Sequence, residues 1–181
     1  MVNRCILQIV LLMCFSSIAL PMSYNSLQIQ LHNSSQRCLD LLRELKGQTE
    51  DCLNERMNFM IPKEIRKPQQ LSKEDATLVI FEMLNNIFVV FGKNVSSTGW
   101  NETLVQHFRS ETYWQICHLK NMSKTFTKKN SMLQLRLKSY YWKILNFLEE
   151  KKYSNCAWKL VHLQIIKDFA NMRNLIDSFQ N

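Results

Sequence analysis

Glycine and proline are scarce in this 181-residue chain, at three residues each. The glycines are Gly47, Gly92 and Gly99, too few and too scattered to build the glycine-rich loop that cradles a phosphate. With only Pro21, Pro62 and Pro68, long stretches run without a helix breaker. Strand-like alternation of apolar and polar residues is missing as well. Four histidines occur, His32, His107, His118 and His162, and none has the His-x3-His or His-Glu-x2-His spacing of a metal cage. Cys117 and His118 are neighbours, but successive helical side chains diverge by about 100°, which argues against a thiol–imidazole pair. No nucleophile with its base, no paired acid and base and no cofactor motif is legible. The chain is therefore expected to bind other molecules and not to be an enzyme.

Long hydrophobic runs are scarce too, and the one present stands at the start. Met1-Val2-Asn3-Arg4 precedes an apolar run from Cys5 to Phe15 and the small residues Ser16, Ser17 and Ala19. One positive charge, a run too short to span a bilayer and small residues behind it read as a signal peptide over residues 1–21. Small residues three and one positions before the cut favour cleavage after Ala19, whereas cleavage before Met22 leaves Pro21 in the last position. Residues 22–181 then make one secreted, extracellular domain, with no second apolar run to insert in a membrane.

Arg4 is the only charge in the removed piece, so the net charge falls from +8 to +7. That balance favours anionic partners, among them glycans at the cell surface. The basic clusters, Lys63 with Arg66-Lys67, Lys128-Lys129 and Lys151-Lys152, are short, separate and not interleaved with aromatics. They read as a solvated face and not as a nucleic-acid contact. Cys38, Cys52, Cys117 and Cys156 remain, and in an oxidising compartment three full pairings are open to them. Sequons at Asn33, Asn94, Asn101 and Asn121 are candidate glycosylation sites, Asn94 and Asn101 lying in an apparent loop.

Apolar residues recur at helical spacing along most of the chain. A first helix is predicted from Tyr24 to Leu45, with Leu27, Leu31, Cys38, Leu41, Leu42 and Leu45 inward and Gly47 as its cap. About 25 residues without periodicity follow, a long crossover. Ser72-Lys73-Glu74-Asp75 resembles a capping box and opens a second helix, whose stripe Ala76, Val79, Ile80, Met83, Ile87 and Val90 ends at Gly92. A third is predicted over 101–127, with Val105, Phe108, Thr112, Leu119, Met122 and Phe126 inward. A fourth follows over 132–149 with Leu133, Leu137, Tyr140, Ile144 and Leu148 inward. A fifth runs over 155–179 with Trp158, Val161, Ile165, Met172, Leu175 and Phe179 inward. Long helices joined by one long and several short connections predict an all-α, up-up-down-down long-chain bundle of five helices, with the crossover between the first and second. The last helix also carries Leu160, Leu163, Ile166 and Ala170 off its stripe, so it is expected at the bundle centre.

Within the fourth and fifth helices stand Tyr140-Tyr141-Trp142-Lys143-Ile144-Leu145, Leu148 and, after seven residues, Cys156-Ala157-Trp158. This segment resembles the signature of the type I interferons. Further matching segments follow in order. They are Met22-Ser23-Tyr24-Asn25, Arg56-Met57-Asn58-Phe59 with Ile61-Pro62, Lys73-Glu74-Asp75-Ala76, Glu82-Met83-Leu84 with Asn86-Ile87-Phe88, and Ser96 to Thr103. They span nearly the whole chain and are most similar to the beta branch of that family.

The resemblance implies an antiviral, antiproliferative and immunomodulatory helical cytokine. It also implies a monomer that brings together both chains of the type I interferon receptor and activates their cytoplasmic kinases. A disulfide between Cys52 and Cys156 is implied as well, with Cys38 as the family's unpaired thiol. Cys117 stands where the family has a polar residue, which opens a second bond, a dimer or two free thiols. Free thiols are preferred, since both cysteines lie within helices. The segment Lys124 to Ser131 is shorter than is usual in the family.

For one receptor chain the resemblance implies contacts from Arg43, Arg56, Lys159 and His162, with Trp158 nearby but on the inward stripe. For the other it implies Phe88, Arg109, Tyr113 and Ile116. Tyr113 and Ile116 lie beside the inward stripe of the third helix, where part of their apolar area is expected to face solvent. The competing reading is a cationic, membrane-active host-defence protein, which needs its apolar helix faces exposed.

Overall fold

The computed structural model describes residues 24–46, 52, 57–123 and 131–180. The expected signal peptide, Gly47, Arg56 and residues 124–130 with Phe126 lie outside the described residues, and so do the side chains of Asn121 and Met122.

Five helices make the bundle: α1 (Tyr24–Glu44), α2 (Lys73–Val90), α3 (Glu102–Ser123), α4 (Ser131–Glu150) and α5 (Asn155–Asp177). No strand occurs among the described residues. The helices start where a side chain can satisfy the first free N–H groups. Ser72 Oγ accepts from the Asp75 N–H at 3.1 Å, Asn101 Oδ1 from the Thr103 N–H at 2.9 Å, and Ser154 Oγ from the Ala157 N–H at 3.3 Å. Among the described glycines, Gly99, at φ 68°, uses its left-handed freedom, closing the short turn Ser96–Thr98.

The architecture is the up-up-down-down bundle expected from the periodicity. α1 packs on α3 and α5, and α2 packs on α3, α4 and α5. The apolar stripes meet in one core, with an aromatic centre at the loop end. Phe91 lies 4.5 Å from Phe108 and 5.8 Å from Trp158, and Phe108 meets Phe169 at 5.7 Å. Burying a side chain of phenylalanine size contributes roughly 1.5–3 kcal/mol. Trp158 is fully buried, and its indole N–H donates to the Asn94 carbonyl at 2.8 Å, so the bulkiest core residue carries no unpaired donor.

Two expectations are corrected. The helix closed in most completely is α2, not the last helix: Ala76 to Ile80, Met83, Leu84, Ile87 and Val90 are all buried. On α5, Leu163 is 51% exposed and Ala170 is exposed, so one flank of this helix faces solvent. Nor do two free thiols remain. Cys38 is free and buried, whereas Cys117 is half-buried and disulfide-bonded.

The disulfide Cys52–Cys156 is present, with its Cα atoms 5.4 Å apart across 104 residues of sequence, and ties the crossover to the start of α5. Beyond it, Phe59 and Glu64 reach α4, and the turn Lys63–Arg66 packs on α5. Phe59, Ile61 and Ile65 are buried, and the Phe59 ring meets Phe147 edge-on at 5.5 Å.

Candidate functional site

Groups able to do chemistry are either sealed or dispersed. Asp168 sits on the buried stripe of α5 with no exposed surface. The Tyr140 hydroxyl donates to its two oxygens at 2.8 and 2.9 Å, the Tyr141 hydroxyl donates at 3.1 Å, and Gln164 Nε2 donates at 3.1 Å. Burial pushes this carboxyl up to about 7 against the pull of its donors, and burial also raises both tyrosines. No substrate reaches this network, so it fastens α4 to α5. Sequence reasoning missed it, although an acid on an apolar stripe, with two tyrosines on the preceding helix, was the available signal.

A second polar layer joins α1 to α3. Ser34 and Arg37 donate to Glu111, Ser35 donates to Gln115, and Gln115 Nε2 donates to Cys38 Sγ at 3.3 Å. Burial raises the Cys38 thiol to about 12, which leaves it protonated and inert. No cluster of His, Cys, Asp and Glu suited to a metal occurs among the described residues.

The predicted binding residues fall on two separate surfaces. On the first, the ring N–H at Nε2 of His162 donates to the Leu42 carbonyl at 2.7 Å, drawing the start of α5 to the end of α1. Arg43 follows Leu42 and is exposed, with Asp40 at 3.4 Å, and Lys159 is exposed one turn before His162. His162 itself is half-buried, its ring 5.2 Å from Trp100, and burial lowers its pKa. It is a neutral brace between helices more than a free side chain.

The second surface crosses α2 and α3. The Arg109 guanidinium lies over the Phe88 ring, 4.8 Å from its centroid, and Phe88 meets Tyr113 at 5.6 Å. A cation over an aromatic face contributes about 0.5–1 kcal/mol at an exposed site and more when desolvated. The Nε of Arg109 has no hydrogen-bond partner, and Val89 beside Phe88 is 49% exposed. Ile116, expected here, is 7% exposed and belongs to the core behind Tyr113. The structure therefore brings Phe88, Arg109 and Tyr113 together at the surface and sets Ile116 beneath them.

Residues 27–179 of the chain match the interferon alpha/beta domain. The chain belongs to the interferon alpha/beta family. Interferon beta of Macaca fascicularis and interferon beta of Homo sapiens are each 46% identical to this interferon over 187 aligned positions, covering 100% of both chains in each comparison. Among solved structures, zebrafish interferon 1 superposes with a TM-score of 0.70 at 20% identity, covering 82% of this chain and 95% of that one, a likeness of fold. This interferon is thus a type I interferon cytokine, from a family that binds interferon receptors and is not a family of enzymes.

Proposed function

We propose that this interferon is a secreted antiviral, antiproliferative and immunomodulatory cytokine that acts as a monomer by joining the two chains of the type I interferon receptor. One receptor chain is engaged by Arg43, Lys159 and Arg56, with His162 bracing that face from behind. The other is engaged by Phe88, Arg109 and Tyr113, supported by Ile116. The observation that carries this reading is the aromatic–cation patch on α2 and α3. Its rings are only partly covered, and the Arg109 guanidinium lies over one of them. Aromatic and arginine side chains of this kind dominate protein–protein hot spots.

Glycans at the four sequons fit the same reading. Asn33, Asn94 and Asn101 are exposed. The Oδ1 atoms of Asn94 and Asn101 hold local turns, which leaves the amide nitrogen for the sugar. The membrane-active alternative finds little support, because the apolar faces it needs are packed into the core.

The test is a reporter assay for receptor signalling with Tyr113→Ala and Arg56→Ala. Each is expected to lower potency by about tenfold or more, the effect of removing a hot-spot side chain, with helical circular dichroism and melting temperature nearly unchanged. Parent-like signalling by both variants would refute the assignment.

A further inference from the structure

The face of α4 belongs to neither proposed receptor surface, yet it carries a groove. The groove encloses about 640 Å3 between residues 57–64 and α4. Its walls are held firmly, because Ile65 is buried behind it, Phe59 is locked on Phe147, and Arg136 of α4 is ion-paired with Glu64 across it. The turn Lys63–Arg66 is a 3-10 helix, in which side chains three apart share a face, so anchoring Ile65 inward turns Lys63 and Arg66 outward on one side. Lys143 lines the opposite wall, and Lys67 follows on the same turn.

Lys63, Arg66, Lys67 and Lys143 are exposed and have no acidic partner among the described residues, while the one carboxylate in the groove is already neutralised by Arg136. Lys63 and Lys143 line the groove from two elements that are far apart in sequence, and Arg66 shares the exposed face of Lys63 with Lys67 next to it in the chain. The three-dimensional structure thus turns what reads in sequence as a short cluster and a lone lysine into one basic trough.

We propose that this trough is a binding site for a sulfated glycosaminoglycan chain. Charge complementarity selects the occupant: a linear polyanion with regularly spaced sulfates neutralises cations on both walls at once, and each contact gains from release of counterions. The exposed Met57 and Met60 at one edge offer apolar area for the carbon faces of the sugar rings. Because the trough lies on α4 and the crossover, a glycan held there leaves the α2–α3 patch uncovered. The site would concentrate the cytokine at cell surfaces without blocking that face.

The test uses the full mature protein and a heparin-derived hexasaccharide, with binding measured by surface plasmon resonance over a salt series. The triple variant Lys63→Ala, Arg66→Ala, Lys143→Ala is compared with an equal-charge control, Lys46→Ala, Lys93→Ala, Lys167→Ala, and circular dichroism verifies the fold of both. The trough variant is expected to lose about tenfold or more in affinity with a shallower salt dependence, and the control to stay within about threefold of the parent. Equal losses in the two triples would mean attraction by net charge alone and overturn the site. Undiminished binding of the desulfated hexasaccharide would do the same. So would a polyglutamate peptide that binds as tightly, since the trough would then suit an acidic protein segment.

Discussion

The Tyr140 hydroxyl sits between both oxygens of the buried Asp168, at 2.8 and 2.9 Å. Three donors, from Tyr140, Tyr141 and Gln164, face the carboxyl, and Lys167 is the charged group that acts on it, lowering its pKa only weakly. Burial outweighs them all and raises the group from 3.8 to about 7. The folded protein therefore holds this proton where the unfolded chain has released it. The stability contributed by the neutral form is fully present below about pH 4 and is lost as pH rises through 7. Melting of the parent is expected to fall by several degrees between pH 5 and pH 8, on the scale of about 1–2 kcal/mol per pKa unit of difference. Asp168→Asn, which cannot ionise, is expected to show a smaller fall over the same range. Equal slopes in parent and variant would show that the carboxyl does not titrate there.

The bond between Cys52 and Cys156 closes 104 residues of separation. Such a closure stabilises the fold by on the order of 4 kcal/mol through the unfolded chain's lost entropy. Replacing both cysteines by serine is expected to lower the urea midpoint strongly while a residual helical signal persists. An unchanged midpoint would place the crossover's anchorage in Phe59, Ile61 and Ile65 instead.

Cys38 is sealed between α1 and α3, with Thr112 at 3.8 Å and Gln115 at 3.3 Å, and its thiol is raised to about 12. Native protein at pH 8 is expected to leave Cys38 unlabelled by iodoacetamide over hours, and protein in concentrated urea to label it completely. Rapid native labelling, read by peptide mass, would show that the α1–α3 layer opens.

Lys152 and Tyr153 both adopt left-handed backbone, at φ 51° and 55°, where α4 turns into α5. A side chain in this conformation costs roughly 1–2 kcal/mol, less the extra entropy a glycine loses on folding. Lys152→Gly is therefore expected to raise stability by about 0.5–1 kcal/mol, seen as a higher urea midpoint with unchanged slope.

The helices were legible because each carries its own signals. Ser72 and Asn155 mark starts that lie within a residue of those observed, and the stripes of α2 and α4 are buried residue for residue. Depth was less legible. Tyr113 and Ile116 look alike as edge residues of a stripe, but Ile116 is covered and Tyr113 is half-open, because which edge a neighbour covers depends on packing between helices. Leu163 reads as core from its side chain alone, and only the arrangement of helices leaves it in solvent. Asp168 reads as a break in an apolar stripe until α4 supplies its tyrosines. The patch on α2 and α3 escaped composition for the same reason, since Phe88 and Arg109 are 21 positions apart in sequence and meet only in the fold.

The most direct measurement of the central claim is the stoichiometry of the complex with the soluble ectodomains of both receptor chains, read by size-exclusion chromatography with light scattering. The parent is expected to form a complex of one cytokine with one copy of each receptor chain. The double variant Phe88→Ala, Tyr113→Ala should keep one receptor chain and lose the other, with its melting temperature preserved. Loss of both chains together, or of neither, would contradict two separate receptor surfaces.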